Sequence, residues 1–116
     1  MSPRSALGVL VAALLALVPS PAPAEAAGSV STGAALFGEH CGLCHAAGGT
    51  GTFMLARRLG KERSLLLDRS DLAPEYVTQV VRHGLQAMPR FTRVELTDRE
   101  LAAIAAFLAI PGRRAP

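Results

Sequence analysis

The feature that most constrains this chain is Cys41-Gly42-Leu43-Cys44-His45, which holds both of its cysteines and a histidine directly after the second. Two thiols three positions apart at a helix end point the same way, so each can add to one vinyl group of a haem and leave two thioether bonds. His45 is then held beneath the ring, where a neutral imidazole nitrogen is a good iron ligand. The order Cys-x-x-Cys-His is a signature of covalent haem attachment. Three other chemistries use parts of the pattern. A thioredoxin-like redox pair expects a strand ahead of the motif, whereas the residues before Cys41 read as a helix. A zinc site through His40, Cys41, Cys44 and His45 sets neighbouring side chains on diverging vectors and strains the tetrahedron. A disulfide would close a very short loop and gain little chain entropy.

The N-terminus reads as an export signal. Met1 to Arg4 carries one positive charge, Ala6 to Val18 is an unbroken apolar run, and small residues at Ala22, Ala24 and Ala26 offer cleavage positions. The run is shorter than the ~20 residues that span a bilayer, and Pro19, Pro21 and Pro23 interrupt any helix there. We expect residues 1–26 to be a signal peptide, residues 27–112 to form one domain with no stable membrane span after cleavage, and residues 113–116 to be a disordered tail. The expected location is the periplasm.

A domain of that size buries only a modest core by itself, and aromatic residues make up 4% of the chain with no tryptophan. A flat apolar macrocycle supplies the missing core. The net charge of +3 comes from scattered Arg and Lys without a basic helix stripe interleaved with aromatics, which excludes a nucleic-acid partner.

Helical periodicity organises the rest. Ser31 or Thr32 is expected to cap a helix that carries Gly33, Ala34, Leu36 and Phe37 into Cys41. Gly48, Gly49 and Gly51 read as a flexible loop after His45. Residues 53–72 have no clear pattern; Leu55, Leu59 and Leu65 to Leu67 are expected to cover the haem, with Arg57 and Arg58 as candidate partners for its propionates and Arg63 and Arg69 facing solvent or propionates. Pro74 starts a helix with a stripe of Tyr76, Val77, Val80 and Val81, ended by Gly84 as a left-handed cap. Met88, in the loop Leu85-Gln86-Ala87-Met88-Pro89, is the candidate sixth iron ligand, with His83 and Met54 as alternatives. Thr97-Asp98-Arg99-Glu100 is a capping box with Leu96 stapled onto Leu101. The apolar face of that last helix, Leu101, Ile104, Phe107 and Leu108, needs a partner, and the Gly33 and Phe37 face is the available one.

Over nearly all of residues 27–112 the sequence resembles a small class I c-type cytochrome. The residues that carry the likeness are Gly33, Phe37, the pentapeptide at 41–45, the glycines after it, Met88-Pro89 and the terminal helix with Phe107. The resemblance implies an all-α, cytochrome c-like fold wrapped around one covalent haem c, with His45 proximal and Met88 distal. One departure stands out: in the family a Pro after the histidine commonly offers its carbonyl to the ring N–H, and here the loop reads Gly51-Thr52-Phe53. The run from Val80 to Phe91 is also similar to the cytochrome subunit of p-cresol methylhydroxylase-type flavocytochromes, which implies a flavin dehydrogenase as the class of partner. The expected role is a one-electron carrier, not an enzyme. It would accept electrons from a periplasmic dehydrogenase, as its subunit or as a shuttle, and pass them to a downstream cytochrome or oxidase. Arg82, Arg90 and Arg93 lie near the Met88 loop and are expected to dock against an acidic patch. If Met88 is absent from the iron or easily displaced, the alternative is a gas sensor or a peroxide-reactive protein.

Overall fold

The computed structural model describes residues 23–111, with side chains from residue 32 onward. Its regular structure is helical, in agreement with the expected all-α class: α1 (Pro23–His40), α2 (Gly42–His45), α3 (Thr50–Leu59), α4 (Pro74–His83) and α5 (Asp98–Leu108), with 3₁₀ turns at Lys61–Arg63 and Leu66–Asp68. The apolar run of the expected signal peptide and the expected tail at residues 113–116 lie outside the described residues. Among the described residues no helix is long and apolar enough to cross a membrane.

Helix α1 starts at Pro23, well ahead of the expected cap at Ser31 or Thr32. The reason is local: Ala24, Ala26 and Ala27 are strong helix formers, and a proline is tolerated in the first turn because its missing N–H would be unpaired there. Helix α5 starts where the sequence says it should. Glu100 N–H donates to Thr97 Oγ1 at 3.3 Å and Thr97 N–H donates to the Glu100 carboxylate at 2.8 Å, completing the capping box. Leu96 and Leu101 flank that box and are each 1% exposed, as a hydrophobic staple requires. The helix ends at Leu108, short of Pro111.

The core forms where α1 and α4 pack on α5, α1 making the larger interface. Gly33 lies at the α1–α5 crossing, where an added Cβ would come within 2.4 Å of the Ala103 carbonyl oxygen and 2.7 Å of Phe107 Cβ. Backbone cannot move out of the way of such a contact, so only glycine permits this approach. One turn later Phe37 meets Phe107, with ring centroids 6.1 Å apart and planes tilted by 53°, within the favourable range for an aromatic pair. From α4, Val77 and Val81 enter the core, whereas Tyr76, expected in the same stripe, is half exposed.

The patternless stretch 53–72 contains most of α3 and both 3₁₀ turns. Arg63 and Arg69 there both pair with Asp71, Arg69 Nε at 2.8 Å and Nη2 at 3.0 Å from its two oxygens. The Arg69 guanidinium and then the Arg63 charge hold the Asp71 carboxyl well below the ordinary carboxylate range. Hydrogen bonds from Arg93 and Arg82 lower Asp98, and those from Thr97 lower Glu100.

Two outcomes are expected. Gly33→Ala gains up to about 1 kcal/mol of helix propensity but overpacks the crossing by about 1–3 kcal/mol, so denaturant unfolding should show a net loss on the order of 1–2 kcal/mol. The depressed carboxyls bind protons less tightly in the folded than in the unfolded chain, so the stability they give is present above their ordinary values of 3.8 and 4.5 and is lost as pH falls through the lower folded values. Melting followed by circular dichroism should show a drop as pH falls from about 5 toward about 2, and Asp71→Asn should shrink that drop.

Candidate functional site

Helix α1 delivers the pentapeptide almost without a break. Cys41 N–H donates to Phe37 O at 2.9 Å, and the next turn closes with Cys44 N–H and His45 N–H donating to Cys41 O at 3.2 and 2.9 Å. Cys41 and Cys44 therefore sit one helical turn apart, Cys41 half-buried and Cys44 exposed, with no disulfide between them. Leu43 between them is 91% exposed.

Burial pushes the Cys41 thiol up to about 11, with the neighbouring Cys44 adding to the shift. A dithiol redox catalyst needs the opposite, a thiol whose pKa is lowered to make thiolate at neutral pH. Burial also lowers the pKa of His45, which favours the neutral imidazole that binds a metal. Among the described residues no three His, Cys, Asp or Glu side chains converge as a metal would require, so His40, Cys41, Cys44 and His45 do not make the tetrahedron of a zinc site.

The glycines after His45 do more than form a flexible loop. Gly48 turns the chain with φ 81°, Gly49 stands at the N-cap of α3, and Gly51 lies in its first turn. A Cβ on Gly51 would come within 2.9 Å of the Cys44 carbonyl oxygen and 3.1–3.2 Å of His45 Cε1 and Nδ1. The backbone of α3 thus lies against the imidazole. His45 Nδ1 is buried there with no hydrogen-bond partner among the described residues, so the Gly51-Thr52-Phe53 sequence provides no substitute for the carbonyl of a proline. Thr52 ties the loop together by donating from Oγ1 to Ala46 O at 2.9 Å.

On the other side of the core, α4 ends at Gly84, whose φ of 76° and ψ of 167° belong to a region open essentially to glycine alone. This extended geometry differs from the left-handed cap expected, and it brings the chain close to the Met88-Pro89-Arg90 backbone: a Cβ on Gly84 would meet Met88 O at 2.8 Å. Leu85 and Met88 then exchange two hydrogen bonds, N–H to O at 3.1 and 3.0 Å. Gln86 occupies the turn between them at φ 55°, the only non-glycine residue with positive φ among those described, at a cost of about 1–2 kcal/mol. Met88 is half-buried and packs on the same core cluster as Cys41, with Leu36, Leu66, Leu67 and Phe91 forming the rest of a partly covered apolar rim.

The two alternatives to Met88 sit elsewhere. His83 is exposed, its Nδ1 2.9 Å from Gln79 O, and Met54 is 52% exposed on α3. Arg57 and Arg58 are both exposed in the last turn of α3, the Arg57 guanidinium lying 5.9 Å from the Phe53 ring centroid.

Arg82 is the residue whose role differs most from expectation. Its side chain is 11% exposed and turns inward: Nη1 donates to Phe91 O and Thr92 O at 3.1 and 3.3 Å, and Nη2 donates to Leu96 O and the Asp98 carboxylate at 2.9 and 2.8 Å. An arginine engaged in this way is not part of a docking surface. Arg93 also pairs with Asp98 but remains 74% exposed, and Arg90 is exposed.

A family model described as cytochrome C oxidase, cbb3-type, subunit III matches residues 28–108. No curated protein and no solved structure matches the chain.

The contact between Gly51 and His45 has a direct test. Gly51→Ala places a methyl group against Cys44 O and the imidazole, and overpacking of about 1–3 kcal/mol is expected. The variant should accumulate as exported, haem-matured protein at severalfold lower yield, whereas Gly38→Ala, with no atom within 4 Å of its added Cβ, should match the wild type.

Proposed function

Because the chain belongs to the cytochrome c family whose model is described as subunit III of the cbb3-type oxidase, we propose that it carries single electrons through one haem c joined to Cys41 and Cys44, with His45 and Met88 as the residues that would hold its iron. Membership of the family implies covalent haem c and an electron carrier rather than a catalytic enzyme. The observation that supports the specific reading best is the setting of His45. Its Nδ1 is enclosed against the Gly51 backbone with no partner among the described residues, so ligation falls to Nε2.

The other residues fit the group as well. Two thiols on one helical turn match two vinyl additions, and the partly covered rim of Leu36, Leu66, Leu67, Met88 and Phe91 presents apolar surface that a macrocycle would cover. When bound, the haem supplies an iron that changes oxidation state by one electron, and thioether ligation favours the reduced form relative to two imidazoles. The protein does the rest. Cys41 and Cys44 would fix the macrocycle to the end of α1, and His45 and the Met88 thioether would hold the iron and exclude exogenous ligands. Arg57 and Arg58 are the propionate partners in this reading.

The export signal expected in residues 1–26 places the carrier in the periplasm. There it takes electrons from a dehydrogenase, of which it is a subunit or a shuttle, and gives them to a cytochrome or oxidase; the segment Val80 to Phe91 favours a flavin enzyme as donor. With Arg82 turned inward, Arg90 and Arg93 remain to meet an acidic partner, and the net charge of +3 favours the encounter.

The visible spectrum of the haem-matured protein tests the ligand set. We expect sharp reduced bands, a weak long-wavelength thioether band when oxidised, and no response to carbon monoxide; prompt carbon monoxide binding would indicate an open iron and favour the sensor or peroxide-reactive role. Electron-transfer rates to an acidic acceptor should fall as ionic strength rises, and Arg90→Glu should lower the low-salt rate severalfold. A rate without salt dependence would exclude electrostatic docking.

A further inference from the structure

Nothing in the sequence pattern marks Arg82 as anything but a surface charge on α4, and the haem reading leaves it without a part. Its four hydrogen bonds all go to one place. Three are to main-chain carbonyls of the stretch that follows Met88, at Phe91, Thr92 and Leu96, and the fourth is to Asp98, the first residue of α5.

We propose that Arg82 is a positioning residue for Met88, fastening the outgoing end of the Met88 turn to both α4 and α5. The inference rests on the reading that Met88 ligates the haem iron. The chain is fixed to the end of α4 on both sides of Met88. Ahead of it, Gly84 N–H donates to Val80 O at 2.8 Å; after it, Phe91 N–H donates to Val81 O at 2.8 Å. A single backbone bond on the outgoing side would have to resist a turn already strained at Gln86. Arg82 reinforces that side by gripping the carbonyl of the same Phe91, and through Leu96 O and Asp98 it anchors the whole 91–96 segment to the start of α5.

The chemistry requires arginine. A planar guanidinium can serve diverging acceptors through two terminal nitrogens at once, which the single ammonium of lysine cannot reproduce. Without the guanidinium, the partly buried carbonyls of Phe91 and Leu96 lose this donor together. The turn then keeps its incoming attachment at Gly84, and on the outgoing side only the Phe91 N–H to Val81 O bond remains. Met88 leaves the iron more often while α1, α5 and their crossing stay intact.

The test is imidazole binding to the oxidised, haem-matured protein, because apparent affinity scales with the fraction of molecules in which the sixth position is free. Arg82→Gln should raise the affinity tenfold or more, with Arg82→Lys intermediate. Ile104→Val, a buried change in α5 away from these bonds, should stay within about twofold of wild type although it also lowers the melting temperature. Asp98→Ala, which removes only the exposed partner, should raise the affinity severalfold and serves if Arg82→Gln does not accumulate. Arg82 and Asp98 variants that bind imidazole like wild type, or a rise equalled by Ile104→Val, would overturn the proposal. A wild type that lacks the thioether band and already binds imidazole as an open haem would instead refute ligation by Met88, and the role of Arg82 would fall with it.

Discussion

The close crossing of α1 and α5 at Gly33 is the contact on which the rest of this small protein depends. Helix α1 ends in the pentapeptide, so the position of Cys41 follows from where α1 is held. That position is set by the absence of a side chain at Gly33, which lets the Ala103 carbonyl approach, and by the Phe37–Phe107 ring pair one turn along. Replacing glycine with any other residue would part the helices and carry the cysteines with them. The capping box and the staple at Leu96 and Leu101 act on the same contact from the other side, by fixing where α5 begins.

The two faces of the site are built differently. On the His45 face, short-range contacts suffice: α2 continues from α1, the chain turns at Gly48, and the first turn of α3 comes back to lie against the imidazole. The Met88 segment lies outside the helices. It is a strained two-residue turn attached to α4 by backbone bonds at Gly84 and Phe91 and to α5 through Arg82. Such an arrangement makes the position of Met88 depend on residues distant from it in the chain.

Residues whose roles follow from local spacing were legible in the sequence. The pentapeptide, Pro74 at the start of α4, the capping box at Thr97 and Glu100, and the pairing of Gly33 and Phe37 with the α5 face all depend on neighbours within a turn or on a single unpartnered stripe. What could not be read depends on distant geometry. Arg82 looks like any helix-surface arginine until the fold brings Asp98 and the Leu96 carbonyl to it, 16 and 14 positions along the chain. Arg63 and Arg69 converge on Asp71 only once the 3₁₀ turns fold the 61–71 segment. Gln86 carries no sign of positive φ, because glycine is the residue that usually advertises it. Only the departure at Gly51-Thr52-Phe53 gave warning of the unpartnered His45 Nδ1.

A carrier of this kind works because its iron is closed on both sides, so the central claim is that the Met88 thioether occupies the sixth position. Proton and carbon NMR of the reduced protein, labelled with carbon-13 at the methionine methyls, addresses that claim directly. The ring current of the haem should shift one methionine methyl far upfield, and the signal should vanish in Met88→Leu while persisting in Met54→Leu. A spectrum without an upfield methyl, or one in which the shifted signal disappears with Met54, would contradict the account.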